Sequence, residues 1–188
     1  MKEHAIGIQA VPYVEDGELH SHFFGPVEMP EAWLDDFSSE TIFFALICLE
    51  ELKNFDLGGK LPDKGYLYIF LDLGQSEYQM RPIVRYSEAA PTHIVDDFND
   101  LMSLEGHPEF VRKMGMRFLS VDADAEGHKL LGVPCDWNYP SNPKPLLLTI
   151  SHLEEDLGFF PQLDGFTYIF FGPKGKELEE AFIKEEIS

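Results

Sequence analysis

Basic residues are scarce in this chain. Across 188 residues, 14 lysines and arginines stand against 34 aspartates and glutamates, a net charge of −20. Phosphate backbones are bound by Lys and Arg displacing counterions, and a field of this sign repels nucleic acid and anionic membranes within the Debye length. Neither is expected as a partner. Long apolar runs are missing too: the longest covers 42–49, far short of the roughly 20 residues a bilayer-spanning helix needs. The opening residues carry an early acid, Glu3, and no apolar core of the signal-peptide kind. There are two cysteines, Cys48 and Cys135, without a C-x-x-C spacing, a usage that fits a reducing compartment. A soluble, cytoplasmic protein is expected.

Signatures of chemistry are equally sparse. No Gly-x-Ser-x-Gly elbow is present, and Cys135 has an acid, Asp136, beside it rather than a base. Gly58-Gly59-Lys60 and Gly172-Pro173-Lys174-Gly175-Lys176 lack the order of a phosphate loop and read as turns. Asp35-Asp36 and Asp96-Asp97 are adjacent pairs, which point to opposite faces of a strand and make poor acid–base dyads. Asp122-Ala123-Asp124-Ala125-Glu126-Gly127 begins like a calcium loop, but Val133 stands where the bidentate Glu belongs. His20-Ser21-His22 puts two imidazoles on one strand face without a third His or a Cys at ligand spacing. No catalytic residue, metal or cofactor is therefore nominated.

What is abundant is aromatic and apolar material. Sixteen Phe and 7 Tyr help bring the hydrophobic share to 44%, enough to build a core. Two stretches match each other: Gly65-Tyr66-Leu67-Tyr68-Ile69-Phe70 and Gly165-Phe166-Thr167-Tyr168-Ile169-Phe170, each preceded by an apolar run and a Leu-Glu-Glu step. Strands are read at 5–14 and 18–24 around a Glu15-Asp16-Gly17 turn, and at 41–49, 65–72, 79–86, 114–121, 146–151 and 165–171. Pro82 places 79–86 at an edge or bulge. Short helices are read at 31–37, 50–55 and in the tail at 174–186, where Leu178, Ala181, Phe182 and Ile187 fall near helical spacing. The expected fold is α+β: one domain over 1–188, a large mixed and mostly antiparallel sheet, short peripheral helices, and a duplication of about 41–72 in 145–171.

The stretch from Phe43 to Leu52, followed by Leu61-Pro62-Asp63-Lys64-Gly65-Tyr66-Leu67-Tyr68-Ile69-Phe70, resembles the signature of the YwqG-like proteins, a bacterial family of unknown function. His128-Lys129-Leu130-Leu131-Gly132-Val133-Pro134 is similar to that family's HKLLGxP loop, and 146–151 with 164–170 to its C-terminal strands. The chain departs from the pattern at Leu46, Thr149 and Ser151, where the family carries Gln, Gln and Asp. The resemblance implies a large mixed sheet and brings no settled activity.

Trp33, His128, Trp137 and Tyr139 are the candidate residues for binding a partner or ligand, since aromatics in loops and at element ends serve as interface anchors. The expected function is non-enzymatic protein binding, with a basic protein drawn in by the acidic field. An immunity or antitoxin-like role is one form of it. The alternative is a small-molecule-binding protein or an undiscovered enzyme with a pocket between the two repeats.

Overall fold

The computed structural model describes residues 4–55, 58–74, 81–100, 108–135, 145–151, 166–172, 178–179 and 181–186. The described residues form twelve strands: β1 (His4–Pro12), β2 (His22–Phe23), β3 (Val27–Met29), β4 (Thr41–Cys48), β5 (Tyr66–Asp72), β6 (Arg81–Ser87), β7 (His93–Val95), β8 (Met114–Asp122), β9 (Lys129–Leu130), β10 (Leu146–Ser151), β11 (Phe166–Phe170) and β12 (Phe182–Glu186). Single-turn 3-10 helices occur at Glu31–Trp33, Leu49–Leu52 and Pro108–Val111, and no helix reaches seven residues among those described. The protein is all-β, which corrects the α+β expectation.

The reason is visible in the three expected helices. The segments around 31 and 50 close one turn each and stop. The tail forms β12 instead, paired with β11 from Phe166↔Glu186 to Phe170↔Phe182. Pairing satisfies the outer amides and carbonyls of β11, an obligation that outweighs a weak helical spacing. The expected hairpin of 5–14 on 18–24 does not form either. Gly17 does make a turn, at φ +87°, but β1 pairs with β9 and β2 pairs with β4 and β8.

Two compact units share the chain. One comprises Met1–Gln9, Phe55–Leu61 and Arg117–Ser188, and the other Ala10–Asn54 and Pro62–Met116. In the first, strands lie in the order β12-β11-β10-β9 followed by the His4–Gln9 part of β1; in the second the order is β6-β5-β4-β2 followed by the Met114–Met116 part of β8, with β3 and β7 forming a separate two-stranded ribbon. The pairings within both units are antiparallel. Among the described residues of its unit β6 pairs with β5 alone, Pro82 opposite Leu71, an edge position where its missing N–H costs no ladder bond.

The cores follow from strands with no polar face. All eight residues of β4 and all six of β10 are buried, as their continuous apolar runs require. In the second unit Phe43, Leu46, Tyr68 and Phe70 meet Val27 and Met29 of the ribbon, with Trp33, Phe37 and Phe98 packed around them. A bulge between Phe43 and Ala45 interrupts the β4–β5 ladder. Buried Asn99 binds there like a strand: Phe43 N–H donates to its Oδ1 at 3.0 Å, and its Nδ2 donates to the carbonyls of Phe43 and Phe110 at 3.0 and 2.8 Å.

Candidate functional site: an acidic, tyrosine-walled cleft

The loop after β1 carries a run of acids because its residues turn rather than pack. Asp16 Oδ1 accepts from Glu18 N–H at 3.0 Å and its carboxylate from His20 Nε2 at 3.0 Å. The backbone bond and then the imidazole hold the Asp16 carboxyl below its usual value, and the same contact with Asp16 raises His20. This loop, Glu28 of β3, Tyr66 at the start of β5 and Lys113 just before β8 enclose a cleft of about 380 Å³. It lies wholly within the Ala10–Asn54 and Pro62–Met116 unit. Tyr13 and Tyr66 supply aromatic surface, and Glu15, Glu18 and Glu28 supply carboxylates against one lysine.

That lysine is already engaged. Lys113 Nζ donates to Glu28 Oε1 at 2.7 Å and lies 4.9 Å from the centre of the Tyr13 ring, within cation–π range. Behind Glu28 stands His22, whose side chain is fully buried and lies edge-on to Tyr13 and Phe43 at 5.4 and 5.5 Å. His22 Nδ1 sits 2.9 Å from the Phe24 carbonyl. A carbonyl only accepts, so Nδ1 is the donor there, and the ring's other nitrogen is Nε2. It faces Glu28 Oε2 at 3.8 Å, an ionic contact too long for a hydrogen bond. Neither atom has a hydrogen-bond partner, and the buried Tyr68 hydroxyl has none either. Burial alone would push the Glu28 carboxyl up; neighbouring His22 and Lys113 outweigh it and hold the carboxyl down at about 2.

Cys48 is close by and chemically quiet. Its thiol donates to the Leu19 carbonyl at 3.4 Å, and burial, then the Glu51 charge, pushes it up to about 12. It stays protonated at neutral pH and is no nucleophile. Burial likewise raises the Tyr68 phenol.

The other unit repeats this scaffold strand for strand. Leu46↔Tyr68 and Cys48↔Tyr66 of β4–β5 correspond to Thr149↔Tyr168 and Ser151↔Phe166 of β10–β11. His22 lies between Leu46 and Gly115, as Lys129 lies between Thr149 and Gly7. Cys48 N–H donates to Ser21 Oγ at 2.8 Å, and Ser151 N–H to His128 Nδ1 at 3.0 Å. Both short strands end in a left-handed pair, Phe24 and Gly25 at φ 52° and 73°, Leu131 and Gly132 at φ 62° and 81°. Two of the departures from the YwqG-like pattern, Leu46 and Thr149, thus occupy one equivalent position.

What differs is the surroundings of the central residue. Lys129 is fully buried, and its ammonium donates to the carbonyls of Ala123 and Ala125 at 2.9 and 2.6 Å. The calcium-like turn from Asp122 to Gly127 therefore holds the chain's own cation. Burial lowers the Lys129 ammonium from its usual value. No group of three His, Cys, Asp or Glu among the described residues is placed to hold a metal.

Of the nominated binding residues, Trp33 packs edge-on to Tyr68 at 5.2 Å and serves the core. His128 is buried and spends its Nδ1 on Ser151. Trp137 and Tyr139 lie outside the described residues. The cleft residues Tyr13, Glu28 and Lys113 carry no sequence signal, because three separate loops and strands bring them together. Only the acidic run at 15–18 marks the place in the sequence.

The molecule is thus an all-β protein with a duplicated strand scheme and an acidic cleft. Comparison with family models, curated proteins and solved structures gave no significant match for the chain. No helix among the described residues is long and apolar enough to cross a membrane.

Proposed function

We propose that this chain is a non-enzymatic binding module whose partner is a basic protein, with a cytoplasmic location and an immunity or antitoxin-like role as its specific form. One observation carries the reading: the cleft brings three glutamates together around a single lysine that is already paired, on a chain of net charge −20. Such a field raises the encounter rate with a cationic surface, and the effect falls steeply with salt. The quiet Cys48 thiol fits the same picture. Membership of the YwqG-like family is part of the proposal and rests on the motifs from Phe43 to Phe171.

The test is retention of partners from host lysate on the immobilised chain, at low and at high salt. A near-stoichiometric basic protein released by salt is expected. Retention that salt does not weaken, or no basic protein retained, contradicts the reading. The cleft itself favours a second reading, a small-molecule-binding protein, for which a thermal-shift screen of ligands is the measurement.

A further inference from the structure

We infer that the two units depend on each other in one direction only: the cleft-bearing unit stands by itself, and the other stays closed only while the cleft-bearing unit is folded. This is independent of the basic-partner reading above. It begins from two rows of facing residues. One runs Gly115–His22–Leu46–Tyr68–Arg85 across β8, β2, β4, β5 and β6. The other runs Gly7–Lys129–Thr149–Tyr168–Lys184 across β1, β9, β10, β11 and β12. The last four residues of each row follow one another along the chain as one repeat. The glycine that leads each row belongs to the other repeat. Gly7 comes before His22 in sequence yet faces Lys129, and Gly115 comes before Lys129 yet faces His22. Backbone bonds repeat the exchange: Ile8 N–H donates to the His128 carbonyl at 2.8 Å, and Met116 N–H to the Ser21 carbonyl at 3.2 Å.

This exchange of first strands has unequal consequences. The cleft-bearing unit keeps the strand it borrows. Met114–Met116 follow directly on Lys113 inside the continuous run 10–116, from which only Phe55–Leu61 departs. The two ends of that run are neighbours, since a Cβ on Gly115 would stand 3.0 Å from the Pro12 carbonyl oxygen. The other unit is cut in two. Its part of β1 ends at Gln9 and its remainder resumes at Arg117, with the cleft-bearing unit between them in sequence. Arg117 Nη2 and Nε donate to Gln9 Oε1 across that cut, at 2.6 and 3.2 Å. While 10–116 is folded, its adjacent ends hold Gln9 and Arg117 within reach. Unfolded, the same run is a loop of about a hundred residues, and closing it weakens the unit outside by on the order of a thousandfold.

Amide hydrogen exchange of the full chain tests the inference, read at Thr41–Cys48 in the cleft-bearing unit and at Leu146–Ser151 in the other. In the parent, 146–151 should exchange about tenfold faster or more, through an opening that leaves 41–48 closed. Ile8→Pro removes the donor to His128 and loosens the dependent unit. Every state with 41–48 open also has 146–151 open, so both segments should speed up by one factor, about tenfold. Met116→Pro removes the donor to Ser21 and should speed up 41–48 alone, with 146–151 changing by no more than about twofold. Each variant acting only on its own unit would mean independent units and would overturn the inference. Both variants speeding both segments would mean mutual dependence and overturn it equally. Should a proline variant fail to fold, the parent alone decides: 41–48 exchanging as fast as 146–151, or faster, sinks the inference.

Discussion

Where one unit holds Lys129, the other holds His22, and the two buried bases are treated differently. Lys129 donates to two carbonyls of the turn beside it. His22 gives one nitrogen to a carbonyl and points the other at a glutamate on the wall of a cleft. The strand scheme around both is the same, down to the Gly on the neighbouring strand and the left-handed pair that follows. A duplicated scaffold therefore isolates what is particular to one copy. The copy whose buried cation is held by its own turn acts as structure, and the copy whose His22 faces a glutamate on a cleft wall is the place to look for a ligand.

The largest expected effect concerns what the two copies share. A Cβ on Gly25 would approach the Lys113 amide nitrogen at 2.5 Å, and one on Gly132 the Ala123 carbonyl oxygen at 2.5 Å, both at positive φ. Backbone atoms cannot step aside, so Gly25→Ala and Gly132→Ala should each cost about 3 kcal/mol in urea unfolding. A variant that unfolds like the parent would break the equivalence of the two copies.

Glu28 should give the next effect, and only in the cleft-bearing unit. Its folded pKa lies below the unfolded one, about 2 against 4.5. The stability this supplies is complete above pH 4.5 and is lost as pH falls through 2. Solvent screening of a partly exposed group brings it to about 1–2 kcal/mol. Glu28→Gln should flatten that part of the acid unfolding curve; an unchanged curve would show that His22 and Lys113 do not stabilise the carboxylate.

The smallest effect has the opposite sign. Thr149 is fully buried and its Oγ1 has no partner, while the equivalent Leu46 has no polar atom to satisfy. Thr149→Val keeps the shape and removes the unpaired hydroxyl, so it should stabilise by about 1 kcal/mol. A loss of stability would mean that the hydroxyl is doing something the apolar copy does not need.

The duplication was legible in the sequence only where the strands are buried and aromatic, at 65–70 and 165–170. Its other parts, Ile6-Gly7-Ile8 against Met114-Gly115-Met116 and His22-Phe23-Phe24-Gly25 against Lys129-Leu130-Leu131-Gly132, share little but glycine. The constraint there is geometric: a close approach and a left-handed bend, which many side chains tolerate around an obligatory Gly. The tail misled because Leu178, Ala181 and Phe182 mimic a helical stripe, whereas the unpaired edge of β11 decides its conformation. The cleft was hidden for another reason. Its walls come from the loop after β1, from β3, from β5 and from the approach to β8, and nothing local in the sequence announces that meeting.

The most direct test of the account is an amide chemical-shift titration of the full chain with a hexa-arginine peptide. The account predicts saturable shifts concentrated at 13–19, Glu28, Tyr66 and Lys113, with Lys129, Thr149 and Tyr168 unmoved. Shifts spread evenly over the acidic residues of both units, or centred on Lys129, would contradict it.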